Sequence, residues 1–438
     1  MRRETSTRYP ALATRNFSFP MNPFDTAAIL LTLAAAFGYL NYRYIKLPTA
    51  IGIMLLSLLT SLAMIIYGQF SPSTVEWAKK FVEQVEFDDT VLNIMLSYLL
   101  FAGALHVNLG DLVSQRKVIA ILATVGVCVS TFLVGTATYY LLPMFGITGI
   151  SYIYCLLFGA LISPTDPVAV LGILKKIGAP KSLETKICGE SLFNDGVGVV
   201  IFIAILGIAK GDIEPTFAPI AKLFLKEAVG GVVFGLGLGA IGFYLLKRVN
   251  CYPVEILITL AMVTGGYSLA MHLHTSGPLA MVVAGLMIGN HGRTLAMSKE
   301  TEEHLDTFWE LIDEILNALL FLLIGLELLA LDFRTSYLLL GLLAIPMVLL
   351  MRMISASIPV IILRRKREFS PRVIRILTWG GLRGGISVAL VLSLDPSIQR
   401  DVFLTMTYMV VIFSIAVQGL TLKHLIKPAG ETATTEKS

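Results

Sequence analysis

Charged residues are scarce in this chain of 438 residues, because only 15% of them are Asp, Glu, Lys or Arg. Soluble domains carry about a quarter. The mean hydropathy is +0.78. The apolar residues form long runs that short polar clusters separate, which is typical of polytopic membrane proteins. The pattern excludes an ordinary soluble globular protein and predicts an all-α fold with the lipid bilayer as its main partner.

The chain also has few residues that bind metals or react, with only four cysteines and six histidines. The cysteines (Cys128, Cys155, Cys188 and Cys251) show no metal-binding spacing, so we expect free thiols. No hydrolase, kinase or metalloenzyme motif is present. The basic residues lie between apolar runs rather than on one face, which does not favour nucleic acid as a partner. We therefore expect neither an enzyme nor a bound cofactor.

Thirteen apolar runs are long enough, some with their flanks, to cross a bilayer. They lie approximately at 25–41, 48–67, 90–109, 118–142, 151–174, 187–209, 227–246, 254–271, 277–290, 305–330, 336–363, 374–394 and 402–422. A polar N-terminal tail, residues 1–24, precedes them, and a short tail, residues 426–438, follows them. We number the predicted transmembrane helices from one to thirteen in this order.

The distribution of Lys and Arg between the loops predicts the orientation. One set of alternate loops, together with the C-terminal tail, carries 21 Lys and Arg residues against six in the opposite loops, and this side is expected to be cytoplasmic. The loops of this set are those that contain Arg43, Arg116, Lys175, Lys247, Arg293 and Arg364. An odd number of helices then places the N-terminus outside. The four arginines of the N-terminal tail oppose this orientation, and Met21 is an alternative start that would remove them.

Two of the predicted helices contain helix-breaking residues near the middle of the membrane. Helix five contains Ser-Pro-Thr-Asp-Pro at 163–167, and helix twelve contains Gly-Gly-Leu-Arg-Gly-Gly at 380–385. Each break falls in the fifth helix of its repeat if helices one to six and eight to thirteen form two repeats. The odd offset makes the repeats inverted, and paired interruptions of this kind indicate a transporter's binding site. Crossed broken helices are therefore predicted.

Helix six adds carboxylate and hydroxyl groups to this site. Ser191 and Asp195 are four residues apart and share a face. If that face meets the break in helix five, Asp195 converges with Asp166, the Thr165 carbonyl and the Ser191 hydroxyl, a set that suits a hard cation such as Na⁺. The alternative is structural: the aspartates cap broken helix ends, and Ser191 bonds to its own helix backbone.

Four further polar residues lie within predicted membrane helices. Arg352 needs a partner, and Glu190 is the best carboxylate for a structural ion pair. Arg383 could be a structural cation that binds helix C-terminal carbonyls near the break. It could also shift the pKa of the aspartates. The three carboxylates and two arginines leave one negative charge, which one monovalent cation or one proton cancels. Because Asn194 is neutral, this sum supports the hypothesis of one-for-one electroneutral exchange.

Five motifs in the same order resemble those of the sodium/proton exchanger family, in its type 1 monovalent cation:proton antiporter branch. They are Ser-Pro-Thr-Asp-Pro-Val-Ala-Val (163–170), Gly-Glu-Ser-Leu-Phe-Asn-Asp (189–195), Ser-Gly-Pro-Leu-Ala-Met-Val-Val-Ala-Gly-Leu (276–286), Phe-Leu-Leu-Ile-Gly-Leu-Glu-Leu (321–328) and Gly-Gly-Leu-Arg-Gly-Gly-Ile-Ser-Val-Ala-Leu (380–390). The resemblance covers essentially residues 25 to 425. It implies a prokaryotic antiporter of the cell membrane that exchanges Na⁺, or Li⁺, for H⁺ and serves pH homeostasis.

The resemblance also implies an assembly and a division into domains. The family forms homodimers of thirteen-helix protomers, in which a core moves elevator-like past a dimerisation domain. Here residues 25–112 and 213–332, the latter including a linker helix, would form the dimerisation domain. Residues 113–212 and 333–425 would form the ion-transport core.

The resemblance gives each site residue a role. Asp195 would carry the cation or the proton, and Asp166, Thr165 and Ser191 would complete the Na⁺ site. Asn194 matches the neutral partner that marks the electroneutral branch. The family's structural ion pair falls on Glu190 and Arg352.

One residue departs from the family pattern. Many prokaryotic relatives have an acidic residue in helix three, where this chain has Ala102 in Phe-Ala-Gly-Ala-Leu-His, residues 101–106. His106 lies one turn further along and does not obviously replace that acid. A K⁺/H⁺ antiporter with the same residues is the nearest alternative. An ion channel and a transport-dead sensor are the remaining ones.

Overall fold

The computed structural model describes residues 22–167, 170, 171, 174, 181–331, 334–364 and 372–425. The described residues form helices and connecting turns, and no β-strand occurs among them. The helices, in chain order, are α1 Pro23–Leu40, α2 Thr49–Tyr67, α3 Pro72–Gln84, α4 Phe87–Asp89, α5 Leu96–Leu105, α6 Leu109–Ile121, α7 Val127–Leu141, α8 Tyr152–Ile162, α9 Lys181–Lys210, α10 Phe217–Phe224, α11 Gly230–Leu246, α12 Tyr252–His272, α13 Gly277–Met287, α14 Arg293–Leu295, α15 Lys299–Leu326, α16 Thr335–Arg364, α17 Val373–Trp379, α18 Gly385–Leu392 and α19 Arg400–Phe413.

Wide π-helical turns join several of these helices into longer continuous ones, as at Leu122–Gly126 between α6 and α7. Within the described residues, nine continuous helical stretches, some joined in this way and some single helices, are long and apolar enough to cross a membrane by themselves. Each of the thirteen predicted apolar runs overlaps at least one described helix. The prediction of an all-α polytopic membrane protein is confirmed, whereas the number of crossings stays a prediction.

Small residues and buried hydroxyls let the helices approach closely. A side chain at Gly159 of α8 would collide with the Thr131 carbonyl of α7. On α2, the Ser57 and Ser61 hydroxyls donate 2.8 Å hydrogen bonds to carbonyl oxygens of α15. Close backbone approach and interhelical hydrogen bonds are the usual means of helix packing in a bilayer, where apolar burial gives little driving force. The approach at Gly159 holds α7 against α8, and the two serine hydrogen bonds hold α2 against α15.

Both predicted helix breaks are present in the structure. Helix α8 ends at Ile162, and the non-helical residues 163–167 follow. Helix α17 ends at Trp379, and α18 begins at Gly385 after the break at 380–384. The division into a dimerisation domain and a core, and the inverted relation of the two repeats, stay predictions.

Candidate functional site

The two helix breaks lie against each other. The Asp166 backbone N–H, in the first break, donates a 2.8 Å hydrogen bond to the Leu382 carbonyl in the second. Non-helical backbone at membrane depth must find partners inside the protein, and here each break supplies partners for the other. The crossing of broken helices that the Pro and Gly positions predicted is therefore a real contact between their backbones.

Arg383 connects the same two breaks through its side chain. Its guanidinium donates from Nη1 to the Ser163 carbonyl and, at 2.7 Å, to the Pro164 carbonyl, both at the C-terminal end of α8. Its backbone N–H bonds to the Ser414 hydroxyl at 2.9 Å. The side chain is buried. This is the geometry of a structural cation that neutralises helix C-terminal carbonyls, the first of the two roles predicted for Arg383.

A network of polar side chains fixes the position of Thr165. Its hydroxyl lies 2.9 Å from the Ser191 hydroxyl and accepts a 2.8 Å hydrogen bond from the Asn194 side-chain amide. Its backbone N–H donates to the carbonyl oxygen of the Asn194 side chain at 3.3 Å. All three residues are buried. The network locks α9 to the first break, so the face of α9 that carries Ser191 meets that break.

The two aspartates face one cavity from neighbouring elements. Asp195, on α9, is only 5% exposed, and its carboxylate lies within electrostatic range of the Asp166 carboxylate. Gly384 makes room for Asp166, because a side-chain carbon at this glycine would overlap the Asp166 carboxylate. Two ionised carboxylates within electrostatic range of each other repel unless a cation or a proton neutralises them. The structure thus brings together Asp166, Thr165, Ser191, Asn194 and Asp195.

The cavity beside the aspartates has a volume of about 760 Å³. Its wall extends to Asn108 and Lys181, which lie next to loops predicted to be cytoplasmic. Most of the ionisable side chains in this wall are acidic. They are Asp111, Asp166, Glu184, Asp195, Asp306, Glu310, Asp313 and Glu314. A water-accessible path with walls of one sign of charge concentrates counterions, so the cavity favours entry of cations.

Glu190 and Arg352 form an ion pair away from the cavity. Arg352 Nη2 lies 2.5 Å from Glu190 Oε1, and the side chains are 3% and 2% exposed. The same nitrogen makes a long contact, 3.4 Å, with the Leu377 carbonyl. The pair therefore joins α9, α16 and α17. Neither residue is in the cavity wall, which separates them from the aspartates.

The position of the missing helix-three acid is also in the cavity wall. Ala102 is fully buried in α5 and lines the cavity. His106 lines it too, but its ring nitrogen Nδ1 lies 2.8 Å from the Ala102 carbonyl. Neither supplies a carboxylate to the site.

Reasoning from the sequence missed the polar residues that line the cavity from α15. Asp313 and Asn317 are four residues apart, and with Asp306 and Glu310 they follow the i, i+4, i+7, i+11 spacing of one helix face. That spacing was the signal that could have found them. It was overlooked because it lies at the start of a run that is apolar further on.

Comparison with known proteins decides the family. A family model described as "Sodium/hydrogen exchanger, transmembrane" matches residues 30–427. The chain belongs to the sodium/hydrogen exchanger family. Exchangers are transporters, and the family that the five motifs indicated is confirmed.

Relatives within the exchanger family match nearly the whole chain. The Na⁺/H⁺ antiporter NhaP of Pseudomonas aeruginosa is 49% identical over 419 residues, which are 94% of this chain and 99% of the relative. The Na⁺/H⁺ antiporter NhaH of Halobacillus dabanensis is 37% identical over 92% of this chain and 97% of the relative.

A solved structure supports the exchanger fold. The sodium proton antiporter MjNhaP1 of Methanocaldococcus jannaschii matches with a TM-score of 0.70 at 18% identity, over 91% of this chain and 96% of that chain. This likeness concerns the fold alone, since the two sequences are so different. It agrees with a polytopic membrane protein of the exchanger type.

Proposed function

We propose that this protein exchanges Na⁺ (or Li⁺) for H⁺ across the cell membrane at Asp166 and Asp195. The observation that carries the proposal is the crossing of two helix breaks beside two carboxylates that line one cavity, the buried Asp195 and the half-buried Asp166. Substrate sites of secondary transporters are commonly built from broken helices of this kind. The similar proteins NhaP and NhaH are named Na⁺/H⁺ antiporters.

The chemistry of the site suits a small hard cation. Asp166, Asp195 and Thr165 line the cavity, and the Ser191 hydroxyl lies 2.9 Å from the Thr165 hydroxyl. We assign the two carboxylates, the Thr165 carbonyl and the Ser191 hydroxyl as the oxygen ligands, which hard cations prefer. Asn194 bonds to Thr165 rather than adding charge. We assign Asp195 as the carrier of the cation or the proton, with Asp166 beside it.

Transport then follows from electrostatics. A cation or a proton neutralises the carboxylates, and the loaded site can cross the bilayer. The empty site crosses poorly, because an unpaired buried charge is costly. Competition between Na⁺ and H⁺ for the same carboxylates couples the two fluxes in opposite directions.

The charges at the site favour electroneutral exchange with a one-for-one stoichiometry. Asp166, Asp195 and Glu190 carry three negative charges, and Arg352 and Arg383 carry two positive ones. One monovalent cation or one proton balances the remainder, so neither half of the cycle moves net charge. This charge sum is supported by the burial of both arginines: Arg352 bonds to Glu190 of α9, and Arg383 bonds to the Pro164 carbonyl just after α8.

The movement and the assembly are further parts of the proposal. We place the carrier residues in a core, residues 113–212 and 333–425, that moves elevator-like against a dimerisation domain, residues 25–112 and 213–332. The first break, α9 and the second break, which form the proposed site, all fall in the core segments. The working protein is proposed to be a homodimer in the cell membrane, with its N-terminus outside and its C-terminus in the cytoplasm.

One vesicle assay tests the function. Everted vesicles with an imposed pH gradient would receive Na⁺, Li⁺ or K⁺, with and without K⁺ and valinomycin to clamp the membrane potential. We expect Na⁺ and Li⁺ to collapse the gradient at rates that the clamp does not change. A response to K⁺ alone would replace the proposal with K⁺/H⁺ exchange, and a conductive, non-saturating flux would indicate a channel.

The same assay tests the carrier residue. Asp195→Asn should abolish exchange because its amide cannot take up a proton or balance a cation. Asp212→Asn is the matched control, since Asp212 is exposed and outside the cavity wall, and it should exchange like the wild type. Exchange retained by Asp195→Asn would show that another group carries the ions.

A further inference from the structure

Asp313 and Asn317 lie on one face of α15, between the mouth of the cavity and the aspartate pair. Both residues contribute to the cavity wall. Asn317 is followed one turn later by Leu320, whose side chain occupies the space at Gly385, and the adjacent Gly384 contacts Asp166. The two residues therefore lie near the Asp166–Asp195 pair, on a helix that packs against the end of the second helix break.

The Asn317 amide indicates that this part of the cavity wall binds a ligand. The residue is only 4% exposed, and within the described residues its side-chain oxygen has no hydrogen-bond partner, whereas its nitrogen is near the Asp313 carboxylate. A buried amide oxygen without a partner costs free energy, so it calls for an explanation such as an ion or a water molecule. An amide oxygen in a cavity wall is a suitable ligand for a hard cation.

The Asp313 carboxylate supplies the charge for such a ligand. It is half-buried, lies close to the Asn317 side chain and is within electrostatic range of Asp166. Helix α5, which carries Ala102 where relatives have an acid, packs on α15 near this point, since the Phe101 and Trp309 rings are 4.8 Å apart. Asp313 is one turn beyond Trp309. Asp313 therefore supplies a carboxylate to the cavity, to which α5, the predicted helix three, contributes none.

We propose that Asp313 and Asn317 form a second cation-binding site, the outer site, which accepts Na⁺ or Li⁺ from the cavity and passes it to Asp166 and Asp195. The inference rests on the proposed function. Helix α15 belongs to the proposed dimerisation domain, whereas the aspartate pair belongs to the core. The outer site can therefore assist binding only while the core faces this cavity, and it stays behind when the core moves.

This asymmetry gives a test that a merely structural residue would not pass. Asp313→Asn keeps the size and removes the charge, and Asn317→Leu removes the amide. In everted vesicles, which expose the cytoplasmic face, Asp313→Asn should raise the half-saturating Na⁺ concentration by roughly three- to tenfold, the effect of one nearby, partly screened charge. Asn317→Leu should raise it by a smaller factor. In right-side-out vesicles neither variant should shift it.

The control and the wild type separate failure of the outer site from failure of the proposed function. Glu303→Gln removes a carboxylate from an exposed position of the same helix, outside the cavity wall, and should shift neither value. Equal shifts from both faces, or no shift in Asp313→Asn, would overturn the outer site. If the wild type exchanges Na⁺ and Asp195→Asn does not, either of those results leaves the proposed function intact. A wild type without exchange would overturn the function itself.

Discussion

Removing the charge of Glu190 should destabilise the folded protein, whereas removing the charge of Asp195 should abolish exchange. Both partners of the Glu190–Arg352 pair are almost completely buried, and the carboxylate is the main partner of the Arg352 guanidinium. The remaining contact, to the Leu377 carbonyl, is long at 3.4 Å, and Nε of Arg352 has no hydrogen-bond partner among the described residues. Glu190→Gln would therefore leave a buried guanidinium without a counter-charge.

The expected magnitude follows from that geometry. Breaking a buried ion pair by removing one partner costs about 3–5 kcal/mol. Glutamine keeps a carbonyl oxygen that can still accept from Arg352, so we expect a loss near the lower end, about 3 kcal/mol. Arg383 lies within electrostatic range of both members of the pair. Without Glu190 the two arginines repel each other, which adds to the loss and weakens the hold of Arg383 on the first helix break.

Thermal unfolding in detergent, followed by the remaining monodisperse fraction, measures this loss. The melting temperature should fall clearly for Glu190→Gln and stay unchanged for Glu214→Gln, which alters an exposed residue. The double variant Glu190→Met/Arg352→Met should recover most of the stability, because no unpaired charge remains. Normal stability together with lost exchange in Glu190→Gln would refute the structural assignment and make Glu190 a transport residue. Strictly additive losses in the double variant would also contradict it.

Two further predictions concern the site itself. Gly384→Ala places a methyl group against the Asp166 carboxylate. Because displacing a binding group by about 1 Å can lower rates by about 100-fold, the initial Na⁺-dependent proton flux should fall at least tenfold. A flux equal to that of the wild type would contradict the packing of Gly384 on Asp166. Asn194→Asp adds one negative charge beside Thr165; any exchange that remains should become sensitive to the membrane potential, and exchange that stays indifferent to valinomycin would contradict the charge sum.

Much of the candidate site could be predicted because its residues have few alternatives in a bilayer. Prolines at 164 and 167 and glycines at 380–385 weaken helices wherever they occur. Asp195 and Ser191 fall on one face by helical geometry alone. The partner of Arg352 could be guessed, since a buried guanidinium requires a carboxylate and few were unassigned.

Other features depended on contacts between distant segments. The sequence left two roles open for Arg383, and it could not show that the guanidinium binds the carbonyls of Ser163 and Pro164. Asp313 and Asn317 were overlooked, since their importance comes from a cavity that α5, α15 and the two breaks enclose together. Helical spacing shows which residues share a face. It does not show what that face meets.

The sequence by itself therefore determined the class of protein, the two interrupted helices and the family. Each of these follows from local chemistry: apolar runs must enter lipid, and Pro or Gly interrupts a helix regardless of its neighbours. Only the tertiary structure decided which groups complete the site, namely the backbone bond between Asp166 and Leu382, the carbonyls held by Arg383, and the wall formed by Asp313 and Asn317. These depend on how helices far apart in the chain pack, since a buried polar group must be satisfied by whichever element the fold brings within reach.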